Sequence, residues 1–99
     1  MKPIVFHPES LAEAHETTLW YHAITLGLGD DFAIELRATV ERIRANPLLY
    51  AMHSATFRIA PLRRFPYGVM YEDQPDRIWV AAVMHHSRKP GYWSHRLEP

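Results

Sequence analysis

Seven consecutive apolar residues, Ile78-Trp79-Val80-Ala81-Ala82-Val83-Met84, constrain this chain more than any other feature. A strand with one wet face alternates apolar and polar residues. A run that does not alternate belongs to a strand covered on both faces. The run therefore predicts a central strand, and the remainder of the chain must supply a layer for each side. With 99 residues in all, there is room for one core and one domain, residues 1–99.

The other elements follow from pattern and punctuation. Ile4-Val5-Phe6 reads as a short strand. Pro8 suits the first turn of a helix, and Glu9 and Glu13 suit the positive end of its dipole. This helix is predicted to run to about Leu26, with Ala12, Leu19, Ala23 and Leu26 as its apolar stripe, before Gly27-Leu28-Gly29 breaks it. Asp30 or Asp31 is the predicted cap of a second helix, whose face is Phe32, Leu36, Val40 and Ile43. Asn46-Pro47 stops it. Phe57–Ala60 alternates like a half-buried strand, and Tyr67–Tyr71 is a further strand. The order is β-α-α-β-β-β. It predicts an α+β fold in which a helical hairpin packs on a small twisted antiparallel sheet.

Charge and composition exclude several function classes. Eleven Lys and Arg cancel eleven Asp and Glu, which disfavours a strongly basic nucleic-acid binder. Without cysteine there is no disulfide, thiolate metal site or Cys nucleophile. No apolar run approaches the about 18 residues of a membrane span. Lys2 with three apolar residues before His7-Pro8-Glu9 does not read as a signal peptide, so a soluble cytoplasmic protein is expected. The halves nevertheless differ. Residues 1–53 carry four basic and seven acidic side chains, whereas 54–99 carry seven basic and four acidic. A neutral molecule can therefore present a basic face.

Three segments together carry a family resemblance: His7-Pro8-Glu9 before a helix; Arg63-Arg64-Phe65-Pro66-Tyr67 followed by Val69-Met70-Tyr71; and His85-His86-Ser87-Arg88-Lys89-Pro90-Gly91-Tyr92-Trp93 followed by Arg96. The chain resembles the RelE/ParE superfamily of toxins from bacterial type II toxin–antitoxin systems, closest to its ParE-like, plasmid stabilisation branch. The resemblance implies the β-α-α-β-β-β fold and a cognate antitoxin whose C-terminal segment wraps the toxin. It implies no cofactor and no membrane. It leaves two targets: ParE-like members inhibit DNA gyrase by binding, and RelE-like members cleave messenger RNA on the ribosome.

Cleavage through the 2′-OH needs a base, an acid and cations on the phosphate. RelE-like nucleases place lysines at alternate positions of the strand matching Phe57–Ala60, where this chain has Arg58 and Ala60. They also begin the next strand with an arginine, where this chain has Gly68. The favoured reading is therefore a gyrase inhibitor with no assigned catalytic residue. The alternatives are an endoribonuclease using Arg58, His85, Arg88 and Tyr92, and a non-toxic homologue that only binds antitoxin.

The candidate contacts with target or antitoxin are Arg63, Arg64, His85, Arg88, Arg96, Trp20 and Tyr21. Each has a structural alternative. His85 can bond backbone at the end of the central strand. Arg88 can tie the C-terminal segment to Glu13 or Glu16 of the first helix. Arg63 and Arg64 can sit in a solvated loop. Trp20, Tyr21 and His22 cannot all face the core, so one of them is expected to be exposed. Trp93 is read as core and Arg96 as a contact. His85 and His86 point to opposite faces of a strand, so with His95 they are not read as a metal site.

Overall fold

The computed structural model describes residues 1–54, 56–89 and 91–96. β1 (Ile4–Phe6) leads into α1 (Pro8–Ile24) and α2 (Leu28–Ala45). Four strands follow: β2 (Met52–Ser54), β3 (Phe57–Pro61), β4 (Tyr67–Asp73) and β5 (Ile78–His85). A 3-10 turn, Ser94–Arg96, ends the described chain. The sheet order is β1-β5-β4-β3-β2.

The run Ile78–Met84 is the inner strand its composition demanded, and every residue in it is buried. On one side lies the helical hairpin. Tyr21, Phe32 and Ile43 from the helices meet Val69, Tyr71, Val80 and Val83 from the sheet. On the other side Trp93 returns to cover Phe57, Met70, Trp79 and Met84. Its ring lies 4.8 Å from Phe57, and the Trp79 indole N–H donates to the Arg96 carbonyl at 2.9 Å. Trp93 is thus core, as the sequence suggested.

The β-α-α-β-β-β layout is present, with two refinements. The sheet is mixed, because β1 runs parallel to β5 while β2 to β5 pair antiparallel. The helical hairpin separates β1 from the other strands and returns it beside β5 in the same direction, as a crossover connection does. A short exposed edge strand, β2, also precedes β3.

The helix boundaries have local causes. The His7 ring Nδ1 accepts the Glu9 N–H at 3.0 Å, and Pro8 occupies the first turn. α1 stops at Ile24, and Gly27 takes φ 82°, which favours glycine. Gly27, not Asp30 or Asp31, therefore caps α2. The two aspartates fall inside its first turn, where the helix dipole favours them. Gly29 lets the helices touch, since a Cβ there would meet the Thr18 carbonyl oxygen at 2.6 Å.

The expected face of α2 is correct: Phe32, Val40 and Ile43 are buried and Leu36 is half-buried. The expected face of α1 is reversed. Ala12, Leu19, Ala23 and Leu26 all lie exposed, and the buried residues of the helix are Ser10 and Tyr21. The physical reason is close packing at the sheet edge, where Ser10 is fully enclosed and bonds the Val80 carbonyl, while Tyr21 further along reaches the aromatic core.

Candidate functional site: two flanks of the first helix

β5 extends beyond its parallel neighbour. β1 pairs with Ile78–Val80 only. Ala81 then has no opposite number in β4, since Val80 faces Tyr71 and Ala82 faces Met70. This bulge turns the following backbone groups toward the open edge, where side chains satisfy them. Ser10 Oγ donates to the Val80 carbonyl at 3.3 Å. Arg96 donates to the Ala81 carbonyl at 3.2 Å. The Val83 N–H donates to the Glu13 carboxylate at 3.1 Å.

Glu13 and Arg96 form the centre of this arrangement. Their ion pair measures 2.8 Å, and the Tyr92 hydroxyl donates to the second Glu13 oxygen at 2.7 Å. Glu9 adds contacts at 2.9 Å to Arg96 and 2.8 Å to His95. Burial pushes the Tyr92 hydroxyl far above its ordinary pKa, and the bond to Glu13 pushes it further the same way. The hydrogen bond from His95 holds the Glu9 carboxyl below its ordinary value, against slight burial and with help from the Arg96 charge.

The structure sorts the predicted site residues. Arg96 is 6% exposed and is a clamp, not a free contact. The tie to Glu13 foreseen for Arg88 belongs to Arg96, because the strap past Tyr92 brings it back to the sheet edge. Arg88 is exposed and stacks over the Tyr92 ring at 3.9 Å. His85 Nδ1 accepts the Ser87 N–H at 3.0 Å, which is the backbone role considered for it, and its ring meets Tyr67 edge-on at 5.0 Å. His85, Arg88 and Tyr92 line one cleft of 210 Å³ with Glu13, Glu16 and Thr17.

Arg58 is elsewhere. Its guanidinium donates to the Tyr50 carbonyl at 2.7 Å. It stands opposite Tyr71, which pairs with Val80, five positions before His85. At about 3.3 Å per residue that is roughly 16 Å along the strand. Arg63 and Arg64 lie in the exposed loop before β4, whose backbone N–H groups are accepted by Glu35; the Arg64 guanidinium reaches Asp31 at 3.5 Å. Tyr21, a contact candidate, is instead core, packed 4.9 Å from Phe65. Trp20 and His22 are both exposed, one more than the sequence reading required.

Sequence reasoning missed a groove on the other flank of α1. The helices touch at Gly29, and toward the start of α1 a space of 530 Å³ opens between them. Leu11, Ala14, His15 and Thr18 form one wall and Ala33, Leu36, Arg37 and Val40 the other, with Phe6 also lining it. The available signal was the surplus of large apolar residues on α1, more than one buried stripe can hold. Leu11, Leu19, Trp20 and Ile24 are each more than half exposed, and Leu11 is the one of them that lines the groove.

No group of three or more metal-ligating side chains occurs among the described residues, and none of their helices is long and apolar enough to cross a membrane. Residues 4–90 match the family described as the ParE toxin of the type II toxin-antitoxin system, parDE. The chain belongs to the ParE toxin family. No curated protein matches it. As a ParE toxin it is the toxin half of a type II toxin–antitoxin pair, and an antitoxin is its partner. The ParE chain thus offers two surfaces, one on each flank of α1: an apolar groove shared with α2, and a polar cleft shared with the end of β5.

Proposed function

We propose that this ParE toxin acts by binding and not by chemistry, that DNA gyrase is the protein it inhibits, and that its antitoxin neutralises it by laying an apolar helix into the groove between α1 and α2. The observation that carries the binding reading is the separation of Arg58 from the other residues a nuclease would need. Arg58 holds backbone carbonyls near Tyr50, roughly 16 Å along the sheet from His85. Tyr92 already donates its hydroxyl to Glu13, and burial together with that bond raises its pKa. Of the two candidate phosphate clamps only Arg88 therefore shares a cleft with His85 and Tyr92, and the second cation is missing from it. Gyrase works in the cytoplasm, so the toxin acts there.

The groove suits a helix because it is apolar, open at the surface and set between two helices, the geometry in which an amphipathic helix buries one face. Titrating folded protein into a gyrase supercoiling reaction tests the reading. Inhibition that antitoxin relieves supports it. Absence of inhibition, together with cleavage of ribosome-bound messenger RNA that is lost in Tyr92→Phe, overturns it in favour of a nuclease.

A further inference from the structure

The groove between the helices carries charge as well as apolar surface. It is closed where the helices touch at Gly29 and opens toward the start of α1. Leu11 to Thr18 on one wall and Ala33 to Val40 on the other each span two helical turns, about 10 Å. The 530 Å³ between them is room for the apolar side chains of one helical face, with the backbone of that helix above the mouth. At the middle of each wall stands a nitrogen-bearing side chain, His15 on α1 and Arg37 on α2. No acidic residue is among the described residues that line the groove.

Both side chains are exposed, and neither makes an ion pair or a side-chain hydrogen bond among the described residues. The sequence denies them partners at helical spacing. Three and four residues from Arg37 stand Ala33, Ile34, Val40 and Glu41, and Glu41 lies 3.9 Å from Arg44 instead. The corresponding neighbours of His15 are Leu11, Ala12, Thr18 and Leu19, all uncharged. The other arginines of α2 are engaged: Arg42 donates to the Thr39 hydroxyl at 3.0 Å and Arg44 to the Lys2 carbonyl at 3.0 Å. A helix seated in the groove strips water from the Arg37 guanidinium. A charge covered by apolar surface costs free energy unless it is paired, and a carboxylate in bidentate contact offsets that cost.

We propose that Arg37 is the residue that selects the helix seated in this groove, and that this helix carries an acidic residue on the flank of its apolar stripe facing α2. The inference rests on the groove being the seat of the antitoxin helix. Apolar residues at every third or fourth position fill the space between Leu11 and Val40. A carboxylate on the middle turn reaches Arg37, and the opposite flank meets His15, whose ring offers an N–H in either protonation state. The selection works by exclusion as well as by attraction. A helix with a neutral flank leaves Arg37 covered and unpaired, and one with a lysine there adds repulsion. The apolar stripe gives affinity for amphipathic helices at large, and Arg37 narrows that set to acidic ones.

The probe is a capped, fluorescein-labelled, alanine-based helical peptide of about 15 residues, with Leu at every third or fourth position and Glu on both flanks of that stripe. Fluorescence anisotropy compares it with counterparts carrying Gln or Lys in place of Glu. The Gln peptide is expected to bind about tenfold more weakly, and the Lys peptide more weakly still. Arg37→Ala should bring the Glu peptide down to the level of the Gln peptide, and Arg37→Glu should reverse the order of the Glu and Lys peptides. Arg64→Ala, a cation outside the groove, leaves every affinity within about twofold. Leu11→Gln should weaken the Glu and Gln peptides alike, which places them in the groove. Arg37, Arg64 and Leu11 are all exposed, so circular dichroism of the variants should match the parent. Equal binding of the three peptides, all weakened by Leu11→Gln, overturns the role of Arg37 and leaves the groove reading standing. No binding of any peptide up to about 1 mM, or binding indifferent to Leu11→Gln, overturns the groove reading and this inference with it.

Discussion

The two helices are similar in length and use their apolar residues in opposite ways. α2 directs Phe32, Val40 and Ile43 into the core, and Phe32 and Ile43 are completely buried. α1 directs Ser10, Ala14 and Tyr21 inward and leaves Leu11, Leu19, Trp20 and Ile24 outside. What fixes α1 is largely polar: Ser10 on the Val80 carbonyl, Glu13 on Arg96 and Val83, Glu9 on His95. One helix is held by transfer of apolar surface from water, the other by Tyr21 in the aromatic core together with hydrogen bonds and charge at a sheet edge. The helix held by polar ties is also the one flanked by both open surfaces. Its outward apolar residues are therefore free for a partner without loss to the fold.

This contrast can be broken at several points. The largest effect is expected on the apolar side. Phe32→Ala should cost about 4 kcal/mol in urea unfolding, with little dependence on salt or pH, because it opens a cavity among Tyr21, Phe65 and Tyr67. On the polar side, Arg96→Ala should cost about 3 kcal/mol by leaving the half-buried Glu13 without its counter-charge and removing the bond to the Ala81 carbonyl. The double variant Glu13→Gln with Arg96→Met should recover part of that loss, a recovery no second substitution beside Phe32 would give. Gly29→Ala tests the crossing itself. Its methyl would meet backbone at Thr18, so the helices must part, at about 2 kcal/mol in the same assay.

Acid gives a smaller, directional test. The folded-state pKa of Glu9 is depressed, so its contribution is present above the ordinary carboxylate range and is lost as pH falls through the lowered value. Trp93 fluorescence should therefore report loosening of the strap only as pH falls below the ordinary carboxylate range. In Glu9→Gln that acid transition should shrink. The smallest effect is expected outside: Leu19→Lys should change stability by no more than about 0.5 kcal/mol, since Leu19 is 53% exposed.

The same contrast explains what could be read from the chain. The face of α2 was legible because its burial follows the helical period, and β5 was legible because both its sides are covered. α1 was misread because periodicity assumes that apolar residues face inward. Here a serine and an alanine pack against the sheet edge, and the larger side chains serve the outside. The role of Arg96 depended on a bulge at Ala81 and on the path of the strap. Neither is a property of local sequence. His85, Arg88 and Tyr92 line one cleft, as neighbours along the chain can. Arg58 joined them only by analogy, and strand geometry keeps it apart.

Hydrogen exchange on the ParE toxin alone and with its antitoxin tests most directly the claim that α1 is the helix left open for a partner. The account predicts new protection across Pro8–Ile24 and along residues 33–40 of α2, with no change in the already buried β5. Protection confined to the Arg63-Arg64 loop or to β2, with α1 exchanging as in the free toxin, would contradict it.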